Sequence, residues 1–384
     1  MEKNILFIVH NLKMGGIQKM TVALARYHQK QGNNVVILTL EKGDSVDVDF
    51  PCKVISLNLS EYLIYRPHLA VYYLIYKVLL RYLLPRGECF FAKYIFKPLI
   101  ERYINKLENE SGKFDAIFVR GARSLYRTWW MNASNVVFSF HLPFEIPVGK
   151  SSIKERYWKY WTKKLLNGKK VFCVSNFILK DLMVSLKKKE VDLHSSEVIH
   201  NPIDLQRLKL LSKKGSPIEG DYIISVGRLT KQKRFDVLIE SYAMSKLPCK
   251  LVILGEGNQR DNIESLINKY NLHGKVLLPG FDGNPYRWLD KAKFFVLSSD
   301  VEGFGNVVLE ALACGLPVVS TNNGPVGEIL KGPLANGIVP CGDVEALSTK
   351  MQEYWDSPVY PDEDDISTFT LPYITSQQME LASN

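Results

Sequence analysis

Much that would announce a simple chemistry is missing from this chain of 384 residues. Its cysteines, Cys52, Cys89, Cys173, Cys249, Cys314 and Cys341, are scattered and form no CxxC pair. That excludes a disulfide framework or a thiolate metal site and points to a reducing cytoplasm. The histidines form no HExxH and no paired spacing, so neither a metal nor any other cofactor is expected. No secretory leader is expected before the first apolar run, because Met1-Glu2-Lys3 leads straight into the strand-sized Ile5–Val9. Low-complexity tracts are absent, which excludes a disordered chain. A stretch of about twenty uncharged apolar residues is absent too, which excludes a simple spanning helix.

The nearest approach to such a stretch is 69–84, which Lys77 and Arg81 interrupt. It reads either as a helix packed under a sheet or as an in-plane membrane contact with snorkelling cations. A second candidate is Lys154–Lys164, where Trp158 and Trp161 stand at helical spacing among lysines, although that spacing also suits a core. The formal charge is +9, with much of the excess between Arg66 and Lys188. Such a basic surface suits nucleic acid, anionic lipid or an acidic substrate equally, since a field does not identify its partner.

What is present is rhythm. Apolar strands at Ile5–Val9, Val35–Leu40, Ala116–Val119, Val136–Phe140 and Val171–Val174 alternate with amphipathic stretches, as in parallel α/β units. A second series follows at Tyr222–Val226, Lys250–Leu254, Val276–Leu278, Phe294–Leu297 and Val318–Ser320. Between them Leu205–Glu219, rich in Lys, Ser, Gly and Pro, reads as a hinge. The predicted division is a first domain over 1–203 and a second over 204–368, with a last helix within about 369–384 packing back on the first.

The richest segment runs from Glu302 to Pro317. It follows a buried strand, passes Gly303, Phe304 and Gly305, and opens a helix at Asn306 that Gly315 and Pro317 end. Amides from Gly305 through Asn306 and Val307 would present a helix N-terminus to phosphate. Glu302 stands before the helix and Glu310 inside it, so they are not a helical pair; Glu310 can accept two hydrogen bonds from a vicinal diol such as ribose. Arg228 and Lys233 follow the first strand of the second domain, and two cations held there would stabilise the charge on a departing diphosphate without a metal. Adjacent glycines in Met14-Gly15-Gly16 allow close approach to a ligand, and His141 follows the strand Val136–Phe140 at the ligand-binding edge of the first sheet.

These pieces resemble the retaining GT-B glycosyltransferases of the family 4 type, whose signature has the frame of Glu302-Gly-Phe through Glu310-Ala-x-Ala-x-Gly-x-Pro317. The resemblance implies a fold of two Rossmann-like domains facing across a cleft. It gives Glu302 to the donor sugar, Glu310 to the ribose hydroxyls, Arg228 and Lys233 to the diphosphate, Gly16 to the donor diphosphate from the first domain, and His141 to the reacting sugar. The loop 279–286, with Phe281, resembles the receiver of the nucleotide base. The family commonly has glycine where Arg234 stands. Shorter matches lie at Val174–Asn176, His200–Asp204, Gly255–Gly257 and Ser320–Glu328. Asp47-Val-Asp49 spells a metal-binding DxD of a different architecture and reads as a solvated loop.

The expected activity is transfer of a hexose or N-acetylhexosamine from a nucleotide sugar, favouring UDP, to a glycan or lipid-linked acceptor in surface polysaccharide or lipopolysaccharide assembly. The expected setting is the inner face of the cytoplasmic membrane, bound peripherally to an anionic surface, with no nucleic-acid partner. The rival readings are a membrane-associated scaffold with a vestigial nucleotide site and another GT-B enzyme such as a sugar-nucleotide epimerase.

Overall fold

The computed structural model describes residues 2–384 apart from 14, 44, 45, 47, 81–90, 145–151 and 216. Met14, Asp47, Arg81 and Cys89 therefore lie outside the described residues, as does the end of the apolar stretch 69–84. The chain forms two compact units, Met1–His200 with Leu371–Asn384, and Asn201–Thr370.

The first unit is built on a seven-stranded parallel sheet of order β3-β2-β1-β4-β5-β6-β7. Its strands are β1 Asn4–Val9, β2 Asn34–Thr39, β3 Lys53–Ser56, β4 Ala116–Arg120, β5 Val136–Phe140, β6 Lys170–Cys173 and β7 Ser195–Val198. The central strands are buried almost end to end, as they must be with helices on both faces, and this is why they read as unbroken apolar runs. Two strands were not anticipated. β3 and β7 are edge strands with one neighbour each, and the polar sequence Ser-Ser-Glu-Val of β7 carries no hydrophobic signature.

The helix Leu371–Ser383 returns to this unit and lies on β4 and β5. Ile374, Gln378, Leu381 and Ala382 form its buried stripe, and Lys170 Nζ donates to Ala382 O at 3.4 Å, a cation at the negative end of the helix. Burying Ile374 and Leu381 stabilises the docking by ~1.5–3 kcal/mol each. Trp158 is also core rather than surface: it is buried, and its neighbour Trp161 packs edge-on against Trp129.

The second unit has a six-stranded parallel sheet of order β10-β9-β8-β11-β12-β13. Its strands are β8 Tyr222–Val226, β9 Lys250–Leu254, β10 Val276–Gly280, β11 Phe295–Leu297, β12 Val318–Thr321 and β13 Ile338–Val339. A core of Leu238, Leu251, Ile253, Val296, Leu347 and Met351, among others, fills the space between this sheet and its helices. The predicted hinge is corrected here, because Leu205–Ser212 is helical. Asp204 caps it by accepting from Arg207 N at 3.0 Å, and Leu208 is buried, so a cap and a short apolar stripe outweigh the polar composition.

Candidate active site

In the second sheet the direction of winding reverses between the neighbouring strands β8 and β11, and open α/β sheets bind ligands beyond the carboxyl ends of the strands at such a reversal. Both leading motifs leave the sheet at this point. Lys233, from the loop after β8, meets Glu302, from the loop after β11: Nζ lies 2.5 Å from Oε1, with the side chains only 16% and 13% exposed. Ser299 Oγ donates to the same Oε1 at 2.7 Å, and Glu302 N donates to Asn323 O at 3.1 Å. Removing either member of so sheltered a pair strands the other charge, which costs more than the pair contributes.

Arg234, where the family commonly has glycine, keeps the conformation glycine would favour, with φ 48° and ψ 45°. Its guanidinium bonds both carboxylate oxygens of Asp236 and reaches Asp300 Oδ1 at 3.0 Å. The bonds it donates to Asp236, with the charges of both acids, outweigh burial and raise its affinity for the proton further. The loop's shape is thus retained at the expense of local strain.

Arg228 is exposed and has no ion-pair partner among the described residues. Its loop is pinned from below by the loop after β9: Leu229 N donates to Glu256 O at 2.9 Å, and a methyl group added at Gly257 would stand 2.3 Å from Leu229 O. Only glycine permits this backbone-on-backbone packing, so Gly257 sets the height of Arg228.

The helix Asn306–Ala313 starts after Gly305, whose φ of 98° suits glycine, and no side chain caps it. Helix geometry leaves the first amides, at Asn306 and Val307, without intrahelical acceptors, and the dipole adds partial positive charge there. Asn306 Oδ1 accepts from Asn201 Nδ2 at 2.9 Å, which braces the helix start. Gly303 and Phe304 complete the approach, but the Phe304 ring is buried beside Phe369, leaving only its backbone for a ligand.

Glu310 accepts from Tyr286 Oη at 3.4 Å. The Glu310 charge, followed by burial, pushes the tyrosine hydroxyl well above its usual range and so keeps it a donor. The preceding loop is organised by Asp282, which accepts from the Trp288 indole at 2.8 Å, the Asn284 amide at 2.8 Å and the Arg287 guanidinium at 2.6 Å. Burial works to raise the Asp282 carboxyl, but these donors hold it below the ordinary range. Phe281 projects from the same loop, 56% exposed, as a flat apolar surface.

Gly16 and His141 belong to the first unit. Gly16 is the first residue of the helix Gly16–Lys30 after β1. His141 follows β5 and is buried, its Nε2 2.9 Å from Ser139 Oγ. Burial and then the charge of Arg120 drive its pKa well down, so the ring is neutral. Arg120 is itself buried, with Nε and Nη1 lacking hydrogen bonds among the described residues; burial brings it to about 9. Sequence reasoning missed Ser299, Arg120 and the pairing of Tyr286 with Glu310. Ser175, one of the shorter matches, is a helix cap, accepting from Ile178 N at 3.3 Å. Among the described residues no three His, Cys, Asp or Glu side chains gather as a metal would require, and Asp49 of the DxD pairs with Arg26.

Residues 14–207 match Glycosyltransferase Family 4, and residues 206–368 match Glycosyl transferases group 1. The chain belongs to glycosyltransferase family 4. A family relative from Campylobacter jejuni, the N-acetylgalactosamine-N,N'-diacetylbacillosaminyl-diphospho-undecaprenol 4-alpha-N-acetylgalactosaminyltransferase, is 45% identical over 127 residues, covering 33% of this chain and 35% of that enzyme. The chain thus matches about a third of that relative's length. A glycosyltransferase from Rickettsia africae has a TM-score of 0.72 at 20% identity, covering 99% of this chain and 98% of its own. Anabaena HepE, solved with UDP and glucose, has a TM-score of 0.65 at 17% identity over 100% of both chains. The fold is GT-B: two parallel-sheet, Rossmann-like domains. Within the second of these, Lys233 and Glu302 stand on adjoining loops at one sheet edge and the helix that follows carries Glu310, so that a cation, an uncapped helix and two carboxylates can hold a polar, anionic ligand by different parts.

Proposed function

We propose that the chain is a retaining, metal-independent glycosyltransferase that moves a hexose or N-acetylhexosamine from a UDP-sugar to a lipid-linked or membrane-presented glycan in surface-polysaccharide or lipopolysaccharide assembly. The observation that carries this reading is the sheltered Lys233–Glu302 pair at the β8/β11 reversal, one loop away from the uncapped helix Asn306–Ala313. Arg228, Lys233 and the helix amides take the diphosphate, Glu310 takes the ribose hydroxyls with Tyr286 orienting it, and Phe281 gives the base a stacking face.

In the reaction the bond from the anomeric carbon to the diphosphate oxygen breaks, and its electron pair stays on the phosphate. Arg228 and Lys233 stabilise that charge as it develops. The acceptor hydroxyl attacks the same face, and its proton passes to the departing phosphate oxygen. Glu302 holds the sugar hydroxyls and returns the Lys233 ammonium to its place. His141, neutral and tethered to Ser139, offers a hydrogen bond to the sugar. The same-face course is favoured because no second carboxylate is assigned at the spacing that a covalent glycosyl intermediate needs.

The Campylobacter jejuni relative, named for a diphospho-undecaprenol acceptor and for N-acetylgalactosaminyl transfer, supports the lipid-linked acceptor and the sugar class. No described helix is long and apolar enough to cross a membrane, and the exposed Ile64, Tyr65, Val71 and Leu74 supply a surface for peripheral attachment at the cytoplasmic face. The test is a thermal shift with UDP. UDP is expected to raise the melting temperature of the wild type and not of Glu310→Ala; no shift in either would remove the nucleotide site from the account. NMR of the product linkage tests retention, since an inverted anomeric centre would reject it.

A further inference from the structure

In the first unit, segments that follow β1, β3 and β4 converge on Glu41, in the loop after β2. It accepts from Ser60 N at 3.2 Å and Ser60 Oγ at 2.5 Å, and it pairs with Arg127. The backbone of Glu41 also meets the residue after β1, its N donating to His10 O at 2.8 Å. The Arg127 guanidinium also stands 5.7 Å from the centre of the Phe96 ring. Arg123 lies one turn earlier on the same helix, Ala122–Thr128, and is exposed; Lys13 is exposed as well, its stem lying across Gly43 in the loop after β2. Neither Arg123 nor Lys13 has an ion-pair partner among the described residues.

His10 sits among these cations. Its Nδ1 is buried and has no hydrogen-bond partner among the described residues. Burial, then Arg127, with Arg123 and Lys13 adding to it against the opposing Glu41, pulls the ring to about 4. Three positive charges thus act on a neutral ring, opposed by the carboxylate of Glu41.

Ser60 belongs to the helix Leu59–Ile64, and this is where the chain's exposed apolar surface begins. Ile64, Tyr65, Val71, Leu74, Val78 and Leu79 are all exposed, a concentration that a soluble face does not require. Glu41 therefore joins the cation cluster and the apolar surface through one side chain.

We propose that Lys13, Arg123 and Arg127 form a phosphate subsite for the acceptor, and that its occupant is the diphosphate end of a lipid carrier whose hydrocarbon lies with the adjoining apolar surface in a bilayer. This rests on the glycosyltransferase reading and deepens it by naming the group recognised. Arg123 supplies a planar fork and Lys13 a point charge, both exposed, a set suited to phosphate oxygens. The apolar surface explains why the phosphate would arrive on a lipid rather than free in water.

The test is flotation of the full chain with three kinds of vesicle: phosphatidylcholine alone, the same doped with a prenyl diphosphate, and the same doped with phosphatidylglycerol at matched charge. The prenyl diphosphate is expected to tighten binding about tenfold over the other two. The double variant Lys13→Gln/Arg123→Gln is expected to lose that gain while keeping its binding to phosphatidylcholine and its melting-temperature response to UDP. Leu74→Asp is expected to weaken binding to every vesicle. Equal binding to the two charged vesicles, an unchanged double variant, or inorganic pyrophosphate abolishing the gain at the concentration of the lipid would each overturn the proposal. A wild type that selects the prenyl diphosphate but does not respond to UDP would instead fault the donor reading and leave this subsite standing.

Discussion

At the scale of single residues, the site is held by charges placed where they cannot relax. Arg234 accepts a left-handed backbone, which costs a non-glycine residue ~1–2 kcal/mol, and recovers it through Asp236 and Asp300. Arg234→Gly is therefore expected to change stability by less than ~1 kcal/mol, whereas Arg234→Ala, which keeps the strain and loses the ion pairs, should destabilise by ~1–2 kcal/mol in urea unfolding. Equal effects of the two would refute the trade. His28 makes a second point. Burial, then Lys3, lowers its pKa to about 4, and its Nε2 has no hydrogen-bond partner among the described residues. Its folded pKa lies below the unfolded value, so the unfolded chain binds the extra proton. Its contribution is therefore present above about 6.5 and is lost as pH falls toward 4, amounting to ~3 kcal/mol over that window. His28→Gln should flatten the acid limb of a melting-temperature profile between those limits, and an unchanged slope would count against a buried neutral ring.

At the scale of elements, the decisive contacts are between loops. Gly257 lies under the backbone that presents Arg228, so Gly257→Ala must push that loop or its own upward. The expectation is a loss of UDP response at least as large as the loss of thermal stability; a folded variant with normal UDP binding would show that the loop's height does not matter. Asp204→Ala should cost ~1 kcal/mol by uncapping Leu205–Ser212. This scale also explains what could be read from the chain beforehand. Strands β1, β2, β4, β5 and β8 announce themselves because burial on both faces demands apolar residues at every position. The edge strands β3 and β7 need only one partner and so carry no such mark. The helix Leu205–Ser212 was hidden by the lysines, glycine, serine and proline that follow it at 213–217. The same contrast holds in the site: Glu302, Glu310, Arg228 and Lys233 stand in motifs whose spacing is local, whereas the bond from Tyr286 to Glu310 and the convergence of Ser60, Arg127 and His10 on Glu41 join residues far apart in sequence and exist only once the sheets have formed.

At the scale of the whole molecule, both units place their sheet reversal beside the first strand, at β1/β4 and at β8/β11, so each presents one ligand-binding edge. The second edge carries a cation, a carboxylate and an uncapped helix start. The first carries the neutral His141 and, on loops after its strands, the cations Lys13, Arg123 and Arg127 around Glu41. The claim on which the rest depends is that Lys233 stabilises the departing diphosphate. Single-turnover release of nucleotide from the UDP-sugar tests this most directly. Lys233→Ala is expected to slow that step by about 10²–10³-fold, the range seen when one preorganised charge stabiliser is removed, with the donor still binding. Release at the wild-type rate in a folded Lys233→Ala protein would contradict it.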